Sequence, residues 1–300
     1  MKPYASITLP AIAPAGPVFV HSDALVARNL VPRTTNRMEL LQAHLDRVEA
    51  IADGRDIWFP TFNYSFPRSG VFNVLSDSSE LGPISECFRV SRAQWRTRVP
   101  MFSACGVGVL PPAASVVPAV VDPFGPESVF AALYSVNGSI LWYGAPWAAA
   151  TIIHFAEAYS SAPAYRYDKD FPGEVIDDDH RWTTILRSHV RPMNRSFNYA
   201  WPRLYEAAVA QGIVQDVSGA QGRCFWAPVG DLVRSWVALL AEDPLALLDA
   251  ETQSWVAPEL ERLGRRFELT DFEMVEEPSR TQPRERVYEP GGTEPPDIPV

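Results

Sequence analysis

Short apolar runs alternate with longer amphipathic stretches through the first half of the chain. The runs at 17–20, 57–59 and 139–143 predict buried strands, because strands covered on both faces lack regular polar positions. Between them, 38–52 and 128–136 repeat apolar residues at helical spacing. This alternation predicts an α/β fold, with a central mixed sheet flanked by helices in a single elaborated domain.

The second half of the chain begins with a different pattern. Residues 165–191 predict a hairpin that turns around Asp177-Asp178-Asp179-His180. The pattern after the hairpin predicts helices and one further strand, at 201–211, 224–228, 231–240 and on to about 263.

Three segments carry little apolar periodicity. Residues 63–83, rich in Ser, Asn, Asp, Gly and Pro, predict a long loop over one end of the sheet, and such loops usually carry function. Residues 1–16 predict a loose arm, and 276–300, with almost no apolar content, predict a disordered tail. The folded domain is therefore expected at 17–270.

Composition narrows the classes of function. The chain has 300 residues and a formal net charge of -10, which argues against a nucleic-acid partner. It has no apolar run of about 20 residues, so no membrane span is expected. Its three cysteines, Cys87, Cys105 and Cys224, lack metal-ligand spacing and predict reduced thiols in the cytoplasm, with no metal.

One helical segment carries the strongest chemical signal. In Thr151-Ile-Ile-His154-Phe-Ala-Glu157, helical pitch places the three polar residues on one face, just beyond a predicted buried strand. A histidine beside a carboxylate can remove a proton from a nucleophile. The alternative is a helix-terminal histidine followed by a solvated glutamate, and the segment alone does not decide between them.

Other short motifs accompany this one in a fixed order. They are Val20-His21-Ser22-Asp23, Pro60-Thr61-Phe62, Ser79-Glu80-Leu81-Gly82-Pro83-Ile84-Ser85-Glu86, Asp122-Pro123-Phe124-Gly125 and the segment ending at Glu157. Together they resemble the aminoglycoside 3-N-acetyltransferase family over roughly residues 17–265.

The resemblance implies an antibiotic N-acetyltransferase-like fold and direct transfer of an acyl group from acetyl-CoA, or another acyl-CoA, to an amine. It implies that His154 is the general base. It places His21 and Ser22 where the CoA arm enters, and Ser103 at the thioester end of the tunnel. Where members usually carry His-Pro-Thr-His-Ser, this chain has Val99-Pro100-Met101-Phe102-Ser103.

The residues suggest further roles, each with an alternative. Glu157 is expected to orient His154, or to be a surface glutamate. Backbone N–H groups from Ser103 to Gly106 are expected to bind the oxyanion and the thioester end, or to belong to a tightly packed strand end. The segment His21-Ser22 is expected to begin a helix whose free N–H groups hold phosphate, with a simple cap by Ser22 as the alternative.

Three residues are assigned to the acceptor. Tyr64 on the long loop is expected to wall its pocket, with core packing as the alternative. Asp179 is expected to hold a cationic group near His154, with a solvated turn as the alternative. Asn198 lies in the segment after the hairpin, where members place a carboxylate and this chain has asparagines and arginines.

The sequence therefore predicts a CoA-dependent N-acyltransferase that acts on a small-molecule amine, such as an amino sugar or an antibiotic-like compound, as a monomer or homodimer. The first alternative is an inactive relative that binds a ligand or partner. The second is a hydrolase that uses Cys105 and His154.

Overall fold

The structure is a computed structural model that describes residues 16–160, 163–219 and 222–273. The predicted disordered tail at 276–300 lies outside these residues. So does the predicted N-terminal arm, apart from Gly16.

A seven-stranded mixed sheet forms the centre of the fold, in the order β10-β11-β7-β1-β2-β5-β4. Its strands, in chain order, are β1 (Val18–Ser22), β2 (Ile57–Pro60), β4 (Trp95–Arg96), β5 (Ala104–Gly106), β7 (Ser139–Tyr143), β10 (Gln215–Asp216) and β11 (Cys224–Pro228). Strands β2, β1 and β7 are parallel, while β5 and β11 run antiparallel to them. The predicted α/β fold with a central mixed sheet is confirmed.

Among the described residues, helices either cover the two faces of this sheet or pack beside the hairpin at 165–191. They are α1 (Arg37–Ala52), α2 (Phe66–Ser69), α3 (Pro83–Ser91), α4 (Val129–Ser135), α5 (Ile152–Tyr159), α6 (Trp201–Ala210), α7 (Val229–Glu242), α8 (Ala250–Leu263) and α9 (Leu269–Phe272). Local signals set several of their ends. Helix α1 begins at Asn36, whose side chain accepts the Met38 and Glu39 N–H groups, and ends at Asp53 in the left-handed conformation.

The two faces bury separate apolar clusters because alternate strand residues point to opposite sides. Phe19, Trp58 and Trp142 pack in one cluster with residues of α4, α5 and α7. Val18 and Phe59 pack on the other face in a second cluster, with residues of α1 and α3. Every residue of β2 and β7 is buried, which explains their unbroken apolar runs.

A second, four-stranded sheet, which the sequence analysis did not predict as a unit, has the order β3-β8-β9-β6. Its strands are β3 (Val71–Asn73), β6 (Val120–Val121), β8 (Tyr167–Asp177) and β9 (His180–Val190). Strands β8 and β9 confirm the predicted hairpin, and their pairing ends at Asp177 and His180. The predicted loop at 63–83 instead contains α2 and β3, which are too short to show a periodicity.

Within the described part of the chain, no helix is both long enough and apolar enough to cross a membrane.

Candidate active site

His154 reaches the protein surface through the connection between β7 and α5. Gly144 follows strand β7, and its φ of 77° and close approach to the Asp23 carbonyl leave no room for a side chain. A short 3-10 turn then leads into α5. Ile152, Ile153 and Phe155 anchor the helix in the core, so His154 is left with 30% of its side chain exposed.

A buried polar network surrounds the Nδ1 atom of His154. This atom lies 3.0 Å from the Tyr199 hydroxyl, 3.2 Å from Nη2 of Arg166 and 3.3 Å from Oε2 of Glu157. Tyr199 and Tyr165 donate hydrogen bonds to the two carboxylate oxygens of Glu157, at 2.8 and 2.9 Å. The predicted His154–Glu157 pair therefore exists, and the surface alternative for Glu157 is wrong because its side chain is only 2% exposed.

The charges of this network are set by an ion pair. Burial alone would raise the pKa of Glu157, but the Arg166 guanidinium and the hydrogen bonds with His154 and Tyr199 together hold that pKa below its usual range. Burial lowers the pKa of His154; the hydrogen bond with Glu157 opposes this shift, and the charge of Arg166 adds to it. The imidazole is therefore neutral at pH 7, as a base must be.

A cavity of about 340 Å³, the His154 cavity, opens beside this network. His154, Arg166, Arg191, Asn198 and Tyr199 all line it. Asn198 is exposed at this cavity, and its contact with the acceptor stays a prediction. The cavity could hold a small acceptor against the imidazole.

The other two predicted acceptor residues lie in different places. Tyr64 is 42% exposed, and its ring contacts Phe102, which does line the His154 cavity. Asp179 lies in the turn of the hairpin, beyond strands of eleven residues each, which span about 30 Å. Its prediction as an acceptor residue near His154 is wrong, because the hairpin carries the turn away from the cavity.

The segment after β1 has no helix start of the predicted kind. His21 is buried between Phe19 and Trp142, and burial lowers its pKa to about 3. The first helical segment after Ser22 is a three-residue 3-10 turn. Just before this turn, the Asp23 carboxylate accepts the N–H groups of Leu25 and Val26. The expected anion site on free helical N–H groups is therefore absent from this described segment.

Ser103 is buried in a network built around a buried arginine. Its hydroxyl donates to the Thr61 carbonyl at 2.7 Å and lies 3.2 Å from Nε of Arg96. Arg96 also donates to the carbonyls of Val74 and Asp77 and so fixes the 63–83 segment. Because Ser103 has no exposed surface, its side chain meets protein rather than a thioester.

Gly106 is equally enclosed. A Cβ atom there would lie 2.4 Å from the Trp95 ring and 2.6 Å from the Trp58 ring. The neighbouring Ala104 N–H already donates to the Thr97 hydroxyl at 2.8 Å. The alternative of a tightly packed strand end therefore describes this segment better than an oxyanion site does.

Cys105 and His154 lie on opposite faces of the central sheet. Cys105 packs in the cluster under α1 and α3, whereas α5 covers the other face. Burial raises the pKa of the Cys105 thiol to about 12. The geometry rules out a Cys105–His154 nucleophile pair.

Basic residues that the sequence analysis missed surround two open cavities beyond the end of β1. Arg28 lines both of them, Arg33 lines one, and Arg223 lines the other. The larger has a volume of about 800 Å³. Within the described ranges none of the three arginines forms a close ion pair, although Arg223 interacts with Asp216 at longer range. Their donors can therefore bind an anionic ligand.

Comparison with known proteins places this geometry in a family. The sequence model of the family described as aminoglycoside 3-N-acetyltransferase matches residues 46–241, more than half of the chain. The chain belongs to that family. The matched range includes every member of the His154 network, and the resemblance carried by the motifs is confirmed.

The similar proteins include other members of the aminoglycoside 3-N-acetyltransferase family. Aminoglycoside N(3)-acetyltransferase VII of Streptomyces paromomycinus is 33% identical over 109 residues, which is 36% of this chain. The match spans only 38% of that relative's length.

Solved structures support the fold of the family. Aminoglycoside acetyltransferase AAC(3)-Xa has a TM-score of 0.61 at 17% identity, covering 77% of this chain and 88% of its own. A binary complex of AAC-IIIb with CoASH has a TM-score of 0.61 at 14% identity, covering 77% and 92%. At these identities the likeness shows the fold alone.

Proposed function

We propose that this protein is a CoA-dependent N-acyltransferase that moves an acyl group from an acyl-CoA to the amine of a small molecule. The observation that carries the proposal is His154, whose Nδ1 atom faces Tyr199 and Glu157 while the residue lines a cavity of about 340 Å³. Family membership supports the same reaction.

The hydrogen bonds around Tyr199 favour the tautomer that a base needs. Tyr199 donates its single O–H to Glu157, so its oxygen is an acceptor toward the other neighbours. Arg166 donates to that oxygen, and the Nδ1–H of His154 can do so too. With the proton on Nδ1, the lone pair of His154 is on Nε2, the ring nitrogen outside the network.

The proposed reaction balances with no further reagent. The amine enters as an ammonium ion, and His154 removes one proton, which frees the lone pair of the amine nitrogen. The amine nitrogen then forms a bond to the thioester carbonyl carbon, and the carbon–sulfur bond breaks. The nitrogen loses a second proton, which the leaving thiolate takes up to become CoA. The imidazolium of His154 releases the first proton to solvent.

The arginines beyond β1 supply the charge that an acyl-CoA requires. Arg28, Arg33 and Arg223 lie beside large open cavities, and Arg28 and Arg33 form no ion pair among the described residues. Guanidinium groups suit phosphates because they donate in pairs. We propose that CoA phosphates bind here and that acetyl is the acyl group, since the relatives are named as acetyltransferases.

Turnover and product identity test the proposal. Purified protein is incubated with acetyl-CoA and a panel of amines, and CoA release and acylated product are followed with a thiol reagent and mass spectrometry. We expect an N-acetylated product whose formation falls about 10²- to 10⁴-fold in His154→Gln. The control is His180→Gln, an exposed histidine at the hairpin turn, which should keep wild-type turnover.

Two other outcomes would redirect the proposal. Binding of acetyl-CoA without any product would favour the alternative of an inactive relative. Release of CoA without an acylated amine would favour a hydrolase, although not one that pairs Cys105 with His154, because the two lie on opposite faces of the sheet.

A further inference from the structure

The His154 cavity has an unusual charge balance for a pocket that would receive a polycation. Four of its lining side chains carry basic nitrogens: His154, Arg166, His189 and Arg191. None of the lining residues among the described part of the chain is an aspartate or glutamate.

Among the described residues, the carboxylates that contact basic residues of the cavity are Glu157, Asp122 and Asp168, and each lies within 4 Å of a basic side chain. Glu157 is buried against Arg166, with 2.7 Å between Oε2 and Nε. Asp122 and Asp168 both face His189, at 3.7 and 2.5 Å. An ammonium group entering the cavity would therefore meet no unpaired carboxylate from these residues.

Arg191 is the cation in the cavity whose charge is not neutralised. It directly follows β9, and its Nη1 donates to the Phe197 carbonyl at 3.2 Å while its guanidinium carbon lies 5.9 Å from the Phe197 ring. It forms no ion pair with any residue that the structure describes. Since a guanidinium has five N–H donors, most of them remain for a ligand.

The rest of the cavity wall is apolar. Phe102, Phe124, Met193 and Trp201 contribute to it, and Met193 is 70% exposed at its edge. Exposed methionine and aromatic surface in a pocket favours a ligand with an apolar body.

We infer, on the basis of the proposed function, that the acceptor is an amine with an apolar or aromatic body and one carboxylate, which Arg191 binds while His154 deprotonates the amine. A guanidinium binds a carboxylate through two parallel hydrogen bonds. A cavity with an unpaired guanidinium and, among the described residues, no lining carboxylate also disfavours acceptors with several ammonium groups.

The carboxylate is assigned to the acceptor rather than to the acyl group. The cavities proposed for CoA are lined by Arg28, Arg33 and Arg223, and they share no lining residue with the His154 cavity. The anionic groups of CoA therefore have their own cations, and Arg191 is left for the second substrate.

Matched pairs of amines test this inference. Phenylalanine and phenethylamine, and tryptophan and tryptamine, differ within each pair only by the carboxylate. Binding is measured by calorimetry, and turnover with acetyl-CoA is measured in parallel. We expect wild type to bind the amino acid of at least one pair about tenfold or more tighter than its amine, and Arg191→Gln to abolish the preference.

The matched control is Arg195→Gln. Arg195 lies in the same segment, but its guanidinium stacks over Trp255 at 5.2 Å and it does not line the cavity. This variant should keep the preference. Arg191→Lys should keep part of it, because a lysine retains the charge and loses the paired donors.

The outcomes separate the inference from the proposed function. The inference would be overturned, even if acetyl transfer occurs, by equal binding within both pairs or by binding of none of the four compounds. Tighter binding of gentamicin than of the amino acids would overturn it too. An Arg191-dependent preference without any turnover would support it and overturn the proposed function. A defect of Arg191→Gln confined to succinyl-CoA, with acetyl-CoA as control, would place the carboxylate on the acyl group and also overturn it.

Discussion

The Nε atom of Arg166 lies 2.7 Å from the Oε2 atom of Glu157, and the two side chains are only 6% and 2% exposed. This pair lies directly behind the imidazole of His154. It keeps Glu157 ionised and directs Arg166 toward the Tyr199 hydroxyl. The position of the imidazole depends on this pair, while its neutral state follows from burial, which lowers the pKa of His154.

Removing one partner of this pair should destabilise the fold. Glu157→Gln leaves the Arg166 guanidinium buried without a counter-charge, and we expect a loss of about 3–5 kcal/mol in the free energy of unfolding. Urea denaturation at pH 7 measures it. The control is Glu259→Gln, since Glu259 pairs with Arg262 on the surface and its loss should leave stability unchanged.

The same pair predicts a pH dependence of stability. Because the folded pKa of Glu157 lies below its ordinary value of 4.5, its contribution is complete above pH 4.5. It is lost as the pH falls through the lower folded value. The stability difference between wild type and Glu157→Gln should therefore shrink below pH 4.5, and a constant difference would contradict an ionised, paired Glu157.

Tyr199→Phe tests the role of the hydroxyl that bridges His154 and Glu157. The ring remains, but the closer of the two acceptors for the Nδ1 proton is lost, so we expect kcat to fall about tenfold with the KM for acyl-CoA unchanged. Tyr205→Phe is the control, because the Tyr205 hydroxyl donates to Asp216, which lies outside the network. An equal loss in both variants would indicate a general structural effect.

Three histidines should titrate in distinct ranges. Burial lowers the pKa of His154 below 6.5 and that of His21 to about 3. The hydrogen bond to Asp122, together with Asp168, raises the pKa of His189 above 6.5 despite its partial burial. Imidazole resonances followed by NMR from pH 3 to 9 measure these values, and a His154 midpoint above that of His189 would contradict the described network.

Gly106→Ala distinguishes a packing role from a cofactor role for that glycine. The new methyl group would clash with Trp58 and Trp95, so we expect a loss of about 1–3 kcal/mol in stability with the KM for acyl-CoA unchanged. Gly230→Ala in α7 is the control, since its methyl group approaches only the end of the Arg234 side chain and Asn137 Oδ1. A raised KM without loss of stability would restore Gly106 to the cofactor site.

The sequence predicted those features whose determinants are local. The strands and helices of the central sheet follow from apolar runs and helical spacing, and His154 and Glu157 lie three residues apart on one helix. Arg166 and Tyr199 could not be predicted as their partners, because the hairpin and the segment after it bring them together. The spacing of apolar residues along the chain does not predict that contact.

The wrong predictions have the same origin. Asp179 is a reasonable cation ligand by composition, but the length of β8 and β9 carries it away from the cavity. The family pattern assigns Ser103 to the thioester, whereas its hydroxyl forms hydrogen bonds with the buried Arg96 and Thr61. Whether a polar side chain faces a ligand or a buried partner is decided by tertiary packing.

The pH dependence of single-turnover acyl transfer tests the role of His154 most directly. In wild type, the rate should rise with pH, with a midpoint below pH 6.5 where the imidazole loses its proton, and should then level off. In His154→Gln only amine that is already deprotonated reacts, so the rate at pH 7 should be at least about 10²-fold lower and should rise tenfold per pH unit. If His154→Gln kept the wild-type rate at pH 7 and the wild-type pH profile, His154 would not be the general base.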